Sequence, residues 1–258
     1  MLQGNRIFHI RVSRTLVNWF MDLIVVVVGV LLALWTSEWA QGRHTAERLA
    51  DVKAALHREM IHNYEIAVEQ EAIIPCYANF SHQLQAQLLQ STNMWAGFDS
   101  QFSRPDLNAT GLTYGIIGVM PQRLETEMWQ SVKNNDVLSS MPIKELQKYQ
   151  QYYMVTAFLN TGIARVEAMR DSLSGLVFPG PLAPQTRTNA LRDIANFNNG
   201  IQRLDARELL NSMFIDLGLK LPANTKSMLA DSEQEAKDSG LSCYKIQSID
   251  VPFANSVP

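Results

Sequence analysis

The sequence has few of the features that mark metal-binding, redox or nucleic-acid-binding proteins. Its 258 residues include only two cysteines, Cys76 and Cys243, which excludes a four-thiolate zinc site. The net charge is −3 and charged residues make up 18% of the chain, so the composition provides no strongly basic surface for nucleic acid. The 13 glycines and 10 prolines do not form low-complexity segments. The composition therefore predicts an ordinary folded protein without a nucleic-acid partner.

Sequence motifs of the common enzyme classes are also missing. No His-Glu-x-x-His, Gly-x-Ser-x-Gly, phosphate-loop or dinucleotide-binding glycine motif occurs. His57 and His62 are five residues apart, about 140° around a helix, so they are poorly placed to share a metal ion. We expect Glu125 and Glu127 to point apart as solvated carboxylates. The sequence thus predicts no catalytic residue, no cofactor and no metal site, and we expect the protein not to be an enzyme.

One long apolar run stands out near the N-terminus. From Leu23 to Trp35 it contains no charged residue, amide or proline. The stretch from Trp19 to Trp39 spans roughly 30 Å as a helix, which matches the hydrocarbon core of a bilayer. We interpret residues 17–39 as a single transmembrane helix, with Trp19, Trp35 and Trp39 as anchors at the two membrane interfaces.

The charges around this helix predict its orientation. Residues 1–16 carry three arginines and no acid, which is also typical of a signal peptide. Bulky residues (Trp35, Glu38 and Trp39) crowd the positions where a cleavage site needs small ones, so we expect an uncleaved signal anchor. Three basic residues also follow the helix, but the free amino group and the lack of acids favour a cytoplasmic N-terminus. The prediction is a single-pass protein of the bacterial inner membrane with a periplasmic domain.

Asp22 is an ionisable residue near the start of the predicted membrane helix, one turn after Trp19. An ionisable residue inside a membrane helix is a functional-site candidate by default. In the alternative interpretation, which we favour, Asp22 lies at the headgroup level near the helix N-terminus. There the helix dipole favours an anion and Arg14 is within reach.

The rest of the chain is predicted to be helical. Residues 40–92 are expected to form a stalk and the first bundle helices, broken at Pro75, with a second helix over Tyr77–Gln90. Residues 93–258 are expected to form the remainder of the periplasmic helical domain. The predicted fold class is mainly all-α, a transmembrane helix continuing into a helical bundle with an extended C-terminal tail. An apolar stripe at three- and four-residue steps supports the stalk: Leu49, Val52, Leu56, Met60, Tyr64 and Ala67.

Further elements follow from caps and turn residues. A long irregular segment over Ser91–Pro121 contains a possible short strand at residues 112–120. Pro142 stands at a position that opens a helix, and Gly240 stands where a helix ends. The predicted helices are Gln122–Lys133, Ile143–Leu173, Thr186–Leu217 with a bend at residues 198–200, and Pro222–Asp238; the tail from Ser242 is expected to dock as an extended strand. Three tyrosines at helical spacing are expected to be core or interface residues: Tyr149, Tyr152 and Tyr153.

The two cysteines lie on the same side of the apolar helix. In an oxidising compartment two cysteines of one domain are reasonably interpreted as a pair. A disulfide between Cys76 and Cys243 would tie the C-terminal tail to the end of the stalk. The alternative is two separate buried thiols, since a free cysteine packs like a small hydrophobe.

Two patches of the sequence follow a recognisable pattern. In the first, Asp22 precedes the core Val-Gly-Val-Leu-Leu-Ala-Leu of residues 28–34, and Trp39 and a charged helix follow it. In the second, residues 128–141, beginning Met-Trp-Gln-Ser-Val, lead into a helix with Leu146, Tyr149, Tyr152 and Tyr153. Both patches resemble a domain-of-unknown-function family of bacterial single-pass membrane proteins. Asn135 stands where that family tends to have glycine. The resemblance implies a membrane topology and a helical domain, but no activity.

Two classes of function are compatible with these features. The first is a membrane-anchored periplasmic helical protein that acts by protein–protein interaction or as a structural or sensory module. Its partners would be the lipid bilayer and either another protein or a second copy of the chain. The second is an accessory subunit of an ion-driven membrane complex that uses Asp22 in its anchor.

Overall fold

The computed structural model describes residues 14–98, 122–204 and 207–253, without the side chains of residues 14–18 and Asp22. The chain is mostly helical, which confirms the predicted fold class at that level. Its contacts divide it into two compact units, Met1–Asp51 and Val52–Pro258. The helices are α1 (Arg14–Gln90), α2 (Glu127–Val132), α3 (Ile143–Leu173), α4 (Pro184–Gln202), α5 (Arg207–Asp216) and α6 (Thr225–Asp238).

From Trp19 to Trp39 the described side chains of α1 are exposed. Trp19, Trp35 and Trp39 are between 62% and 66% exposed. Helix α1 is long and apolar enough from Trp19 onwards to cross a membrane, because an 18-residue window has a mean hydropathy of 2.3 and none of it is buried. The guanidinium of Arg43 lies 5.9 Å from the ring centroid of Trp39.

The second unit has a hydrophobic core to which α1, α3 and α4 all contribute. The predicted stripe on α1 is confirmed from Leu56 onwards, since Leu56, Met60 and Tyr64 are at most 1% exposed. Farther along the helix, Phe80, Leu84 and Leu88 lie in the same cluster as residues of α3 and α4. The three tyrosines of α3 are core residues, as predicted: Tyr149, Tyr152 and Tyr153 are at most 3% exposed.

Helix α1 passes through Pro75 without interruption, so the predicted break at this residue is wrong. Proline removes one backbone hydrogen bond and crowds the preceding turn, which costs about 3 kcal/mol in a helix interior. The proline ring is exposed, whereas Ala72, Cys76 and Tyr77 are buried around it. Tertiary burial on both sides of the proline therefore keeps the helix continuous.

The other helix boundaries predicted from the sequence agree with the structure in some places and not in others. Helix α3 has the predicted bounds and begins after Pro142, and Gly240, with φ of 84°, follows α6 as predicted. The predicted helix Thr186–Leu217 is two helices, α4 and α5, separated after Gln202 rather than bent at residues 198–200. Residues 198–200 stay helical because Phe197 and Ile201, on either side of them, are buried in the core. The possible strand at residues 112–120 lies outside the described residues.

Short extended segments complete the second unit. Strand β1 (Met94–Trp95) pairs antiparallel with β2 (Gly180–Pro181). In the C-terminal tail, Lys245 N–H donates to Ala72 O on α1 over 3.1 Å, and Leu221 and Phe253 form a parallel bridge. The extended strand expected in the tail is reduced to this bridge in the part of the tail that the structure describes. A disulfide joins Cys76 and Cys243, with the Cα atoms 5.0 Å apart.

Candidate functional site

Three carboxylates converge where the segment before α2 meets α1. Glu59 on α1, Glu125 and Glu127 each place a carboxylate oxygen within 4.8 Å of the other two. We call these residues the carboxylate cluster. Glu59 is 7% exposed, Glu125 is half-buried and Glu127 is exposed. The cluster is therefore open to solvent on one side and buried on the other.

Two asparagines hold the segment before α2 in place. Asn63 on α1 donates to Glu125 O over 2.8 Å and accepts from Glu125 N–H over 2.6 Å. From the other side, Asn160 on α3 donates to Leu124 O and accepts from Leu124 N–H, both over 2.8 Å. A side-chain amide that bonds both backbone groups of one residue satisfies them as a neighbouring strand would. The segment is clamped between α1 and α3, and this clamp positions Glu125.

Glu59 is a buried carboxylate that forms no salt bridge with any residue that the structure describes. Its Oε2 accepts a hydrogen bond from Met128 N–H over 2.7 Å. Its Oε1 is buried and has no hydrogen-bond partner of regular geometry among the described residues, and the hydroxyl of Tyr153 is a neighbouring donor. Burial raises the pKa of Tyr153, and the adjacent Glu59 carboxylate raises it further. A buried carboxylate needs a charged or hydrogen-bonding partner, because transfer out of water disfavours the ion.

The expectation that Glu125 and Glu127 point apart is wrong. Residues two apart diverge within a helix, but α2 begins only at Glu127, so Glu125 precedes the helix. Glu59 was missed because the apolar stripe alone placed it off the buried face. The sequence feature that indicates this site is a row of polar residues at helical spacing on α1: Glu59, Asn63 and Gln70. All three are at most 7% exposed, and all bond backbone groups of residues 122–128.

Two histidines lie near this region on α1. His62 places Nε2 3.5 Å from Glu125 Oε1 and Nδ1 3.8 Å from Glu65 Oε2. His57 lies 2.5 Å from the Tyr149 hydroxyl through Nε2, and burial lowers the pKa of its imidazole. The two side chains thus have different partners, and the described residues bring no metal-ligand pair of histidines together.

A second candidate site is a cleft of about 350 Å³ between α3 and α4. Phe158, Arg165 and Arg203 line it, and all three side chains are exposed, Phe158 to 76%. Neither arginine forms a salt bridge with any residue that the structure describes. Gly162 and Gly200 form part of the wall, where the two helices approach closely.

The site residues predicted from the sequence are distributed over both units. Trp19, Trp35 and Trp39 lie on the exposed part of α1. Asp22 belongs to the same helix, but its side chain lies outside the described residues. Cys76 and Cys243 belong to the second unit, where Cys76 is buried in the core. None of the other five, whose side chains the structure describes, lies in the carboxylate cluster or lines the cleft between α3 and α4.

Comparison with known proteins adds no relative of this chain. No protein-family model, curated protein or solved structure matches it.

Proposed function

We propose that this protein is a single-pass protein of the bacterial inner membrane whose helical periplasmic domain acts by binding another protein. The observation that carries the proposal is the exposed apolar part of α1. Its best window has a mean hydropathy of 2.3 with no buried residue, and exposed side chains such as Val25 (66%) and Leu31 (59%) would be unfavourable in water. Insertion into a bilayer removes this surface from water.

The proposed orientation rests on charge. The 16 residues before the helix contain arginines and no acid, and such segments stay in the cytoplasm. The second unit is then periplasmic, a compartment in which disulfides persist. The bond between Cys76 and Cys243 supports this placement.

The cleft between α3 and α4 is the surface that we assign to partner binding. Met154 and Phe158 on α3 are 66% and 76% exposed and four residues apart, so they lie next to each other on one helix face. Arg165 and Arg203 line the cleft beside Phe158. Aromatic residues, methionine and arginine are enriched at protein interfaces. The partner that fits this surface offers an apolar side chain beside an acidic one.

A reporter that is active only in the cytoplasm tests the orientation. Fused to the C-terminus of the full chain, it should be inactive, whereas fusion to the N-terminus should give full activity. An active C-terminal fusion would mean that the orientation is inverted and would remove the proposed periplasmic domain.

Affinity purification from native membranes tests the partner-binding surface. Phe158→Asp and Arg165→Glu should each remove a protein that co-purifies with the native chain. Phe178→Asp is the matched control, since Phe178 is 65% exposed and lies outside this cleft. A set of bound proteins that neither cleft variant changes contradicts the assignment.

The same experiment separates the proposal from a role in an ion-driven complex. In that role Asp22 would contact a partner with several membrane helices. Asp22→Asn would then remove a multi-pass partner that both cleft variants retain, and this result would replace binding through α3 and α4 as the function.

A further inference from the structure

We propose that the carboxylate cluster of Glu59, Glu125 and Glu127 binds a calcium ion. Three carboxylate oxygens lie within 4.8 Å of one another, one from each residue. Oxygens that share a Ca²⁺ at 2.3–2.6 Å are separated by at most about 4.6–5.2 Å, so the observed spacing suits one ion. This inference concerns a different part of the domain from the proposed partner surface and does not depend on it.

The buried oxygen of Glu59 is an independent observation that points to a ligand. Glu59 is 7% exposed, and its Oε1 has no hydrogen-bond partner among the residues that the structure describes. The hydroxyl of Tyr153, a residue 3% exposed, is a neutral donor beside this carboxylate. Neutral donors do not cancel a buried charge, which is unfavourable without a counter-ion. A cation bound at Oε1 supplies the missing charge.

The second oxygen of Glu59 is fixed in a way that suits a metal ligand. Met128 N–H donates to Oε2 over 2.7 Å, which orients the carboxylate. The clamp of Asn63 and Asn160 holds the backbone of Leu124 and Glu125. It therefore fixes the backbone position from which the Glu125 side chain extends. Ligands of metal sites are oriented by such outer hydrogen bonds. Exposed Glu127 leaves the remaining coordination positions open to water.

The chemistry of the donors selects the ion. All three ligands are carboxylates, and hard oxygen ligands suit Ca²⁺ or Mg²⁺ rather than softer metals. Mg²⁺ demands near-ideal octahedral geometry and is usually held by one or two carboxylates, whereas Ca²⁺ accepts three in flexible geometry. Among the described residues, the cluster of three carboxylates has one ion-pair partner, His62, with Nε2 3.5 Å from Glu125 Oε1. The site therefore favours Ca²⁺.

Terbium luminescence tests the site directly, because Tb³⁺ replaces Ca²⁺ and is excited by nearby aromatic rings. Trp129 stacks on Tyr153 with the ring centroids 5.0 Å apart, so an indole is available beside Glu59. The probe is Tb³⁺ added to the full chain in neutral detergent after removal of bound metals with a chelator. We expect saturable emission on excitation of tryptophan, and loss of that emission when Ca²⁺ is added.

Variants identify the ligands. Glu59→Gln and the double variant Glu125→Gln/Glu127→Gln should each weaken Tb³⁺ and Ca²⁺ binding at least about tenfold. Glu235→Gln removes an exposed carboxylate of α6 and should leave binding unchanged. The double variant alters half-buried and exposed side chains, so it tests the site even where Glu59→Gln disturbs the start of α2. Calcium should also raise the midpoint of thermal unfolding of the native chain, and do so less in the double variant.

Three results would overturn the proposal. The first is emission from the native chain that does not saturate. The second is equal binding by the native chain and the double variant. The third is displacement of Tb³⁺ by Zn²⁺ but not by Ca²⁺, which would show that His62 and not the set of three carboxylates determines the site.

Discussion

Cys76 on α1 and Cys243 in the C-terminal tail are joined by a disulfide across 167 residues of sequence. The bond fixes the tail beside α1, where Lys245 N–H also donates to Ala72 O over 3.1 Å. Tyr244, next to the bridge, is 7% exposed and belongs to the hydrophobic core. The tail is therefore part of the folded domain, although it contains no helix between Ser242 and Phe253.

Removal of this disulfide should destabilise the domain. Closing so long a loop restricts the unfolded chain by up to about 5 kcal/mol in the entropy model, and the measured effect is commonly smaller. Cys76→Ala/Cys243→Ala should lower the free energy of unfolding within that limit, as measured by urea denaturation. Mass spectrometry of the membrane-extracted protein, alkylated without a reductant, should find no modified thiol. Two alkylated cysteines would contradict both the bond and the periplasmic placement.

The clamp before α2 should contribute measurably to stability. Asn63 is fully buried and bonds both backbone groups of Glu125. Asn63→Ala leaves these groups without their partner, and each unsatisfied buried group costs about 1–3 kcal/mol. The expected loss is about 2–4 kcal/mol in urea denaturation. The control Asn79→Ala, at an exposed position of the same helix, should change stability by less than about 0.5 kcal/mol. Equal losses in the two variants would contradict the clamp.

Replacing only one partner of the ion pair between Arg207 and Glu71 should lower the stability of the domain strongly. Arg207 Nε lies 2.6 Å from Glu71 Oε2, with the side chains 12% and 10% exposed. Arg207 also donates through Nη1 to Ser248 O over 2.8 Å. Arg207→Met should lower the free energy of unfolding by about 3 kcal/mol, because a buried carboxylate loses its cation.

A double variant checks that the stability lost in Arg207→Met comes from leaving the Glu71 carboxylate buried without its arginine. Glu71→Gln/Arg207→Met should recover part of the stability lost in Arg207→Met, since no buried charge remains. The more exposed pair of Arg123 and Glu167, with side chains 62% and 28% exposed, provides the comparison, and Arg123→Met should cost less than about 1 kcal/mol. A double variant that is less stable than Arg207→Met alone would exclude this explanation.

His57 should make the domain sensitive to mild acid. Burial lowers the pKa of its imidazole from 6.5, with a counteracting contribution from Glu145 and a further lowering by Lys53. The unfolded chain therefore binds a proton more readily than the folded one. The stability contributed by neutral His57 is fully present above about pH 6.5 and is lost as the pH falls through 6.5 toward the lowered folded value.

Replacement of this histidine tests the sign of the effect. His57→Gln keeps a polar group for the Tyr149 hydroxyl but cannot titrate, so it should lose less stability than the native chain between about pH 7.5 and pH 5. Thermal unfolding across that range measures the difference. His82→Gln, at an exposed position of α1, should follow the native profile. A variant at His57 with the native pH dependence would assign the effect to other groups.

Because α3 and α4 approach closely, alanine should cost more stability at Gly200 than at Gly162. A Cβ at Gly200 would lie 2.9 Å from Val166 Cγ2, whereas a Cβ at Gly162 would lie 3.1 Å from Leu204 Cδ2. Valine is stiff about χ1, but the end of a leucine side chain can move. Gly200→Ala should lower stability by about 1–3 kcal/mol through overpacking, reduced by up to about 1 kcal/mol of helix propensity. Gly162→Ala should be nearly neutral, and the reverse order in urea denaturation would contradict this packing.

Local patterns in the sequence determined much of the helical framework. Apolar residues at helical spacing predicted the buried face of α1 from Leu56 onwards, and Pro142 marked the start of α3. The uninterrupted apolar run predicted a helix long enough to cross a membrane. These features depend on residues near each other in the chain, so the pattern that predicts them is local too.

Only the tertiary structure decided which helix-breaking residues actually end a helix. Pro75 lies within α1 because buried neighbours on both sides compensate for the lost hydrogen bond, and that burial depends on residues of other helices. The carboxylate cluster likewise joins Glu59 to Glu125 and Glu127, more than 60 residues later in the sequence. No local pattern specifies that meeting, because it follows from the clamp of Asn63 and Asn160 on the intervening backbone.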